Sequence, residues 1–220
     1  MTRFEYAPDI HAGYPELASR TLRADGIRSD VQLGDRTARF EDIARRRLAA
    51  SPESGFPEIQ AWRRAFSRMG LRPTDYRCAS EALLRRFRRE GSLPQLHPLV
   101  DLCNALSLAT AIPIAVFDLE RIEGDLTVRH ATGTERYLTF GGEVESPKPG
   151  EVIFADQAGN AHARRWTNRQ SSLSAVRPET RSVLIVAEAM HATGVEDVSA
   201  LIQTLAAEMA EVWEPIAEGD

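Results

Sequence analysis

The chain has 220 residues, of which 43% are hydrophobic and 27% are charged, which is the balance of a globular protein long enough to bury a core. The formal net charge of -5 argues against a protein that binds polyanions through bulk charge. The sequence contains no apolar run of the roughly 18 residues that a membrane span needs. Its start, MTRFEYAPDI, lacks the basic and apolar segments of a secretory signal, so we expect a cytoplasmic protein without a membrane partner.

The basic residues are unevenly distributed. Nine arginines but only two acids lie between Arg63 and Arg89, and 26 of the 27 basic residues are arginine. A basic face on an acidic protein is compatible with a nucleic-acid contact, for which Arg77, Arg85 and Arg86 are the candidates. The alternative is the solvated surface of a helix in a chain that uses arginine everywhere.

The first half of the chain predicts helices. The first 35 residues show no clear period, whereas the following segments place apolar residues three or four apart. Ser80 is a candidate N-cap of one helix, and Gly91 is its candidate C-terminal stop. The predicted helices cover residues 36–50, 57–69, 80–89 and 98–110.

After Pro113 the period changes to that of strands, and glycines separate the short apolar runs. An amphipathic helix follows at the end, so the order of elements predicts an α+β fold with a mixed β-sheet core. We expect an N-terminal extension (1–56), a main domain (57–195) and a C-terminal amphipathic helix (196–220) whose apolar stripe suits either a monomer or a homodimer. The predicted strands are 113–118, 125–130, 151–156, 161–168 and 182–190, and the last helix is 196–213.

Common catalytic and cofactor motifs are absent. The sequence has no GxxxxGK[ST], GxGxxG, GxSxG or HExxH pattern. Cys78 and Cys103 are 25 residues apart and form no CxxC pair, so each is expected to pack as a small apolar residue. We therefore expect no cofactor and no metal site. The histidines are also scattered without ligand spacing: His11, His97, His130, His162 and His191.

Six segments carry a resemblance to a known family. Their order and spacing extend over about 130 residues, and LVDLCN followed by VFDLERIEGDLTVR is the most specific combination. Together they resemble the editing domain, called B3/B4, of the β chain of bacterial phenylalanyl-tRNA synthetase, and the ARRWTNRQS piece points to its stand-alone relatives. The segments are 58–86, 93–108, 112–135, 149–156, 163–171 and 180–190.

The resemblance implies binding of the acceptor end of tRNA and hydrolysis of a wrongly attached amino acid. Asn104 stands where the family has a pocket asparagine, and Cys103 where the synthetase has threonine. Ala115 replaces a pocket histidine, and Val186 replaces a pocket glutamate. Glu188, two residues further along the same strand, shares its face and is a candidate replacement.

A second group of candidates lies in ARRWTNRQS, which replaces a glycine-rich segment of the synthetase. Trp166 flanked by Arg165 and Arg169, with Gln170 beside them, is a pattern that holds a single-stranded 3′ end by stacking and phosphate contacts. Trp166 can equally be a core residue. Asp118 follows a strand, where it either lines the substrate pocket or caps a turn.

These candidates lead to two main functional hypotheses. The first is a free-standing trans-editing hydrolase acting on a mischarged aminoacyl-tRNA, in which Asn104 and Arg169 orient the ester and Glu188 binds its amino group or the water. The second is a non-catalytic module that binds tRNA or an amino acid. A small-molecule esterase is a weaker third hypothesis, because no nucleophile motif is present. Asn104 also has a structural alternative, as a buried amide that caps a loop or strand end.

Overall fold

The computed structural model describes residues 2–213, which form an α+β fold. Two short 3₁₀ turns, Glu53–Gly55 and Leu119–Arg121, accompany the regular elements. The helices are α1 (Pro8–Gly13), α2 (Arg36–Ala50), α3 (Pro57–Arg68), α4 (Ala79–Glu90), α5 (Pro98–Thr110) and α6 (Gly194–Ala210). The strands are β1 (Phe4–Tyr6), β2 (Ala18–Ala24), β3 (Ile114–Asp118), β4 (Leu126–His130), β5 (Tyr137–Leu138), β6 (Val144–Glu145), β7 (Val152–Asp156), β8 (Ala161–Arg164), β9 (Arg169–Gln170) and β10 (Val183–Ala189).

The chain divides into two compact units, and each is built from separate stretches of sequence. Within the described residues, the first unit combines residues 2–15 with Phe117–Ala175. The second combines Glu16–Val116 with residues 176–213.

A five-stranded sheet in the order β1-β4-β7-β8-β9 forms the first unit. β1 runs parallel to β4, and the other neighbours are antiparallel. β7 is the central strand and is buried along its whole length. Its Phe154 ring lies 6.0 Å from the ring of Phe4 and 5.3 Å from that of Phe117, so an N-terminal strand completes the core.

A three-stranded sheet in the order β2-β10-β3 forms the centre of the second unit. One face of β10 packs against the helices, because Val183 and Ile185 share a core cluster with Leu102 of α5 and Leu205 of α6. Successive side chains of a strand point to opposite faces. The even-numbered residues of β10, which include Glu188, therefore project from the face away from α5 and α6.

Local sequence explains the bounds of α3 and α4. Pro57 occupies the first turn of α3, where its missing N–H costs nothing. Gly91 ends α4 in the left-handed conformation, at φ +80°. The prediction that Ser80 caps α4 is wrong: Cys78 holds that position, and Ser80 is buried in the first turn.

Most predicted elements are confirmed, including α2 and α5 at their expected bounds. The prediction missed β1, α1 and β2, because these short segments gain their structure from distant partners. The predicted strand 161–168 ends at Arg164, where a turn follows. Residues 214–220 of the predicted C-terminal segment lie outside the described residues. No helix between residues 2 and 213 is both long and apolar enough to cross a membrane.

Candidate functional site

Asn104 lines an open cleft of about 670 Å³ in the second unit. One wall is the side of α5 that carries Asp101, Asn104 and Leu108, three or four residues apart along the helix. Residues 29–41, which lead into α2, form a second wall, and residues 92–98 before α5 form the third. The cleft lies in the unit that also contains α6 and the three-stranded sheet.

The N-terminal turn of α5 places two polar side chains in this cleft. His97 caps the helix, since its Nδ1 accepts the backbone N–H of Leu99 at 3.2 Å. Burial lowers the pKa of the imidazole, which favours the neutral form with its proton on Nε2. Asp101 Oδ1 accepts the backbone N–H of Leu96 at 2.9 Å, and burial raises the pKa of this carboxyl group.

Cys103 faces away from the cleft although it adjoins Asn104. Its side chain belongs to the core cluster between α5 and the sheet, and burial raises the pKa of its thiol to about 12. The position of the family's threonine is therefore part of the hydrophobic core here. The expectation that Cys103 contributes to a substrate pocket does not fit this packing.

Glu188 does not approach the cleft either. It is only 1% exposed, and it projects from the face of β10 that is turned away from α5. Ala115 shares that orientation, because its neighbours Ile114 and Val116 pack on the helix side. The structure thus places Ala115 and Glu188 on one face of the sheet and Asn104 on the other, so Asn104 and Glu188 do not form one pocket.

In the first unit, the arginines of ARRWTNRQS join an ionic cluster. The carboxylate oxygens of Glu151 accept from Nε and Nη2 of Arg164 at 3.1 and 2.7 Å, and Arg165 Nε lies 3.5 Å away. Burial alone raises the pKa of Glu151, but the hydrogen bonds from Arg164 hold it below its ordinary value. Arg164 also pairs with Glu145, which lies 3.8 Å from Arg169.

Trp166 is fully buried, and its ring meets that of Tyr14 edge-on at 4.8 Å. This packing corresponds to the core interpretation rather than to a stacking platform. Arg165 and Trp166 have φ angles of +49° and +56°. Such left-handed residues cost about 1–3 kcal/mol each and are held only by surrounding contacts, here including the hydrogen bond from Trp166 N to Val152 O at 2.7 Å.

Arg169 and Gln170 line a shallow open groove of about 460 Å³ in the same unit. The Arg169 guanidinium lies 5.5 Å from the ring centre of Tyr137, whose hydroxyl donates to the backbone carbonyl of Gln170 at 2.8 Å. Exposed Phe140 forms the other side. The groove therefore offers an aromatic surface and a cation to a ligand.

Asp118 is buried and caps the turn that follows β3. Its Oδ1 accepts the backbone N–H of Glu120 at 3.0 Å. This bond supports the turn-capping interpretation.

A buried Ser–His–Asp chain in the first unit was missed by the sequence analysis. His162 Nδ1 lies 2.8 Å from Ser174 Oγ, and its Nε2 lies 3.0 Å from Asp156 Oδ2. Burial opposes ionisation of Asp156, but hydrogen bonds from His162 and Asn160 hold its pKa far below the ordinary range. Ser174 is fully buried, so this chain joins β7 and β8 to residue 174 rather than acting on a substrate. The β7–β8 hairpin was the available signal, because it brings residues 156 and 162 together.

The arginines between residues 63 and 89 are largely paired with nearby acids. Arg77 lies 3.5 Å from buried Glu81, and Arg85 lies 3.6 Å from buried Glu53. Arg86 pairs with Glu90 at 2.7 Å, and both side chains are substantially exposed. Exposed pairs contribute little, so Arg86 can exchange its partner for a phosphate more readily than Arg77. No group of three or more potential metal ligands occurs within residues 2–213.

The fold and the site define an α+β domain with an open cleft beside its central helix. The model of the B3/4 domain family matches residues 61–211, and the chain belongs to this family.

Curated proteins that are similar to short segments of this chain include phenylalanine–tRNA ligase β subunits. The protein of Methylococcus capsulatus is 38% identical over 72 residues, which are 33% of this chain and 9% of the relative. That of Photorhabdus laumondii is 26% identical over 87 residues, which are 40% of this chain and 11% of the relative. The matched segments thus span about a tenth of the curated relatives' length.

A solved structure shares the fold. It is an N-terminal fragment of the phenylalanyl-tRNA synthetase β subunit from Pyrococcus horikoshii, with a TM-score of 0.50 at 11% identity. The match covers 96% of this chain and 48% of the fragment. At this identity the similarity establishes the fold alone.

Proposed function

We propose that this protein is a free-standing hydrolase that removes the amino acid from a mischarged tRNA. Support comes from its membership of the B3/4 domain family and from its relatives, which are phenylalanine–tRNA ligase β subunits. The observation that carries the proposal is the position of Asn104, which lines an open cleft rather than being packed into the core.

The chemistry requires little from the protein. An aminoacyl ester is already activated, so a positioned water that attacks the carbonyl carbon is sufficient. The water oxygen bonds to the carbonyl carbon and the ester C–O bond breaks. One proton of the water goes to the ribose oxygen, and the other is released to solvent as the amino acid leaves as a carboxylate. The Asn104 amide can donate to the carbonyl oxygen, where negative charge develops in the transition state.

The contact with tRNA would be electrostatic. Of the three predicted nucleic-acid contacts, Arg86 is the best placed, because it lies at the exposed surface of α4. Arg85 is the second best placed, because its partner Glu53 stays paired with Arg88 when Arg85 binds a phosphate. The groove of Arg169, Tyr137 and Phe140 offers an aromatic surface for an unstacked 3′ base.

The alternative is a module that binds tRNA or an amino acid without hydrolysis. A specific observation favours it: Asn104 and Glu188 project to different sides of the sheet, so the two predicted catalytic residues do not share a pocket. Ala115, at the place of the family's histidine, also contributes no polar group.

The deciding experiment is deacylation of a panel of labelled aminoacyl-tRNAs, correctly and wrongly charged. The wild-type protein should hydrolyse one mischarged species, and Asn104→Ala should lower kcat/KM by about 100-fold, the typical loss when an oxyanion donor is removed. Gln203→Ala, which removes an exposed amide on α6, is the matched control and should leave hydrolysis unchanged. If folded protein binds these tRNAs but leaves all of them intact, the binding module replaces this proposal.

A further inference from the structure

No arginine or lysine among the described residues lines the cleft beside α5, although the chain has 26 arginines. Among the described residues, its charged lining consists of Glu41 and Asp101. Glu41 is held by Arg45 at 3.0 Å, so Asp101 supplies the charge available to a ligand. Such a lining disfavours phosphate or carboxylate and suits a cation.

The N-terminus of α5 does not reverse this preference. A helix N-terminus attracts anions through its free N–H groups. Here Pro98 has no N–H, and the N–H of Leu99 is already bonded to His97 Nδ1. Asp101, in the first turn, adds a negative charge near the positive end of the helix.

Three polar side chains line the cleft. The carboxylate of Asp101 accepts the Leu96 N–H through Oδ1 and also interacts with the backbone N–H of His97, and it keeps its negative charge at the cleft surface. His97 lines the cleft, is only 5% exposed, and its Nε2 has no partner among residues 2–213. Asn104 adds an amide.

The unpartnered His97 nitrogen points to a ligand. Because Nδ1 accepts a hydrogen bond, Nε2 is the donor in the neutral ring. A buried donor without a partner is costly, and an acceptor oxygen on a ligand would satisfy it. The cleft therefore combines one carboxylate for a cation with one neutral N–H for an oxygen.

We propose that this cleft binds the α-ammonium group and the adjacent neutral carbonyl of an aminoacyl ester or amide, and that it discriminates against free amino acids. Asp101 binds the ammonium group, His97 donates to the carbonyl oxygen, and Val31, Leu33 and Leu108 contact the side chain. A free amino acid places a second carboxylate near Asp101 with no arginine or lysine to balance it.

This inference deepens the proposed function, since it names what the Asn104 site recognises. It also concerns this chain in particular, because the wall formed by residues 29–41 lies outside the stretch 61–211 that matches the B3/4 domain. Recognition of the acylated form lets a deacylase release its product once the ester is cleaved.

The test is calorimetric titration of the full chain at pH 7.5 with amino acid amides, which the proposed hydrolysis of esters does not consume. The amides of alanine, leucine, phenylalanine and tyrosine are each compared with the free acid and the N-acetyl amide. At least one amide should bind, and its free acid and N-acetyl form should bind at least about tenfold more weakly, as loss of a charged hydrogen bond predicts.

Asp101→Asn should weaken amide binding at least about tenfold. It keeps an oxygen for the Leu96 N–H, and circular dichroism checks the fold. Asp42→Asn, on the exposed surface of α2 and not part of the cleft lining, is the matched control and should bind as wild type. Equal affinity for amide and free acid, no binding of any amide, or unchanged binding by Asp101→Asn would overturn the inference.

The two proposals fail separately. Amide binding that depends on Asp101, together with no hydrolysis of any tRNA, supports this inference and removes the hydrolase. If the protein binds no amide, and Asp101→Asn hydrolyses the tRNA as well as wild type does, this inference is wrong and the proposed hydrolase activity stands.

Discussion

Asn104 and Glu188 lie on opposite sides of the three-stranded sheet of the second unit: Asn104 on α5, which packs against one face, and Glu188 on the face of β10 that is turned away from α5. The hydrophobic layer of Leu102, Leu106 and Ile185 separates them. The two side chains therefore cannot act in one pocket, and each must act at its own site in this unit.

Substitutions of these two residues should act independently. We expect the changes in the free energy of unfolding caused by Asn104→Ala and Glu188→Gln to add in the double variant to within about 0.5 kcal/mol, because the two side chains lie on opposite sides of the sheet and distant sites couple weakly. Urea unfolding of the four proteins measures this. A coupling above about 1 kcal/mol would show that the residues share a network.

The ion pair between Arg164 and Glu151 should be important for stability. The side chains are 5% and 8% exposed, so Glu151→Gln leaves a buried guanidinium short of its main partner. We expect a loss of about 3 kcal/mol in the free energy of unfolding, measured with urea. Glu90→Gln removes the exposed partner of Arg86 and should leave stability nearly unchanged. Equal losses of unfolding free energy in the two variants would show that burial of the Arg164–Glu151 pair does not decide its contribution to stability.

Glu135 should make stability depend on acid pH. Burial alone raises its pKa, but the N–H groups of Thr132 and Gly133 and the Arg129 guanidinium lower it from 4.5 to about 2. The folded state therefore favours the carboxylate, and this contribution is present above pH 4.5 and is lost as the pH falls towards 2. The shift corresponds to about 3 kcal/mol.

Urea unfolding of wild type and Glu135→Gln at several pH values tests this dependence. The variant should lose less stability than wild type between pH 4.5 and 2. Glu179→Gln, an exposed substitution, should follow the wild-type curve. Parallel curves for wild type and Glu135→Gln would show that another carboxyl group governs the acid transition.

The buried Ser174–His162–Asp156 chain should be structural. Ser174→Ala leaves His162 Nδ1 without its partner at 2.8 Å and should cost about 1–3 kcal/mol of stability. Hydrolytic activity, if present, should be unaffected, and a serine-reactive fluorophosphonate should not label the folded protein, because Ser174 is fully buried. Labelling of Ser174 together with loss of activity would instead establish a serine nucleophile.

Both cysteines should be unreactive in the folded protein. They are free and buried, and burial raises the pKa of Cys78 to about 11 and that of Cys103 to about 12. The thiolate is the reactive form, so a disulfide reagent should react only after denaturation. Titration with such a reagent, with and without guanidinium, measures two slow thiols in the native state. Rapid native reaction of Cys78 would show that the start of α4 opens, and that of Cys103 would show that α5 opens.

The sequence determined the helices from α2 onward and the central strands, because their periodicity is local. The apolar spacing of α3 and α5 and the alternation after Gly124, in β4, are visible without any tertiary contact. The first 35 residues were not predictable in this way. β1 is stabilised by pairing with β4 and β2 by pairing with β10, and no local pattern records partners more than 100 residues away.

The sequence also determined the family and the candidate site residues, because the six segments that resemble the family occur in the family's order and spacing. Only the tertiary structure decided which candidates can act together. Side chains along a strand alternate between its two faces, so Glu188 and Ile185 face opposite sides of the sheet. Adjacent side chains of a helix differ in direction by about 100°, so Cys103 packs inward while Asn104 lines the cleft. The cleft itself depends on residues 29–41 meeting residues 92–104, and such long-range contacts have no signature in the sequence.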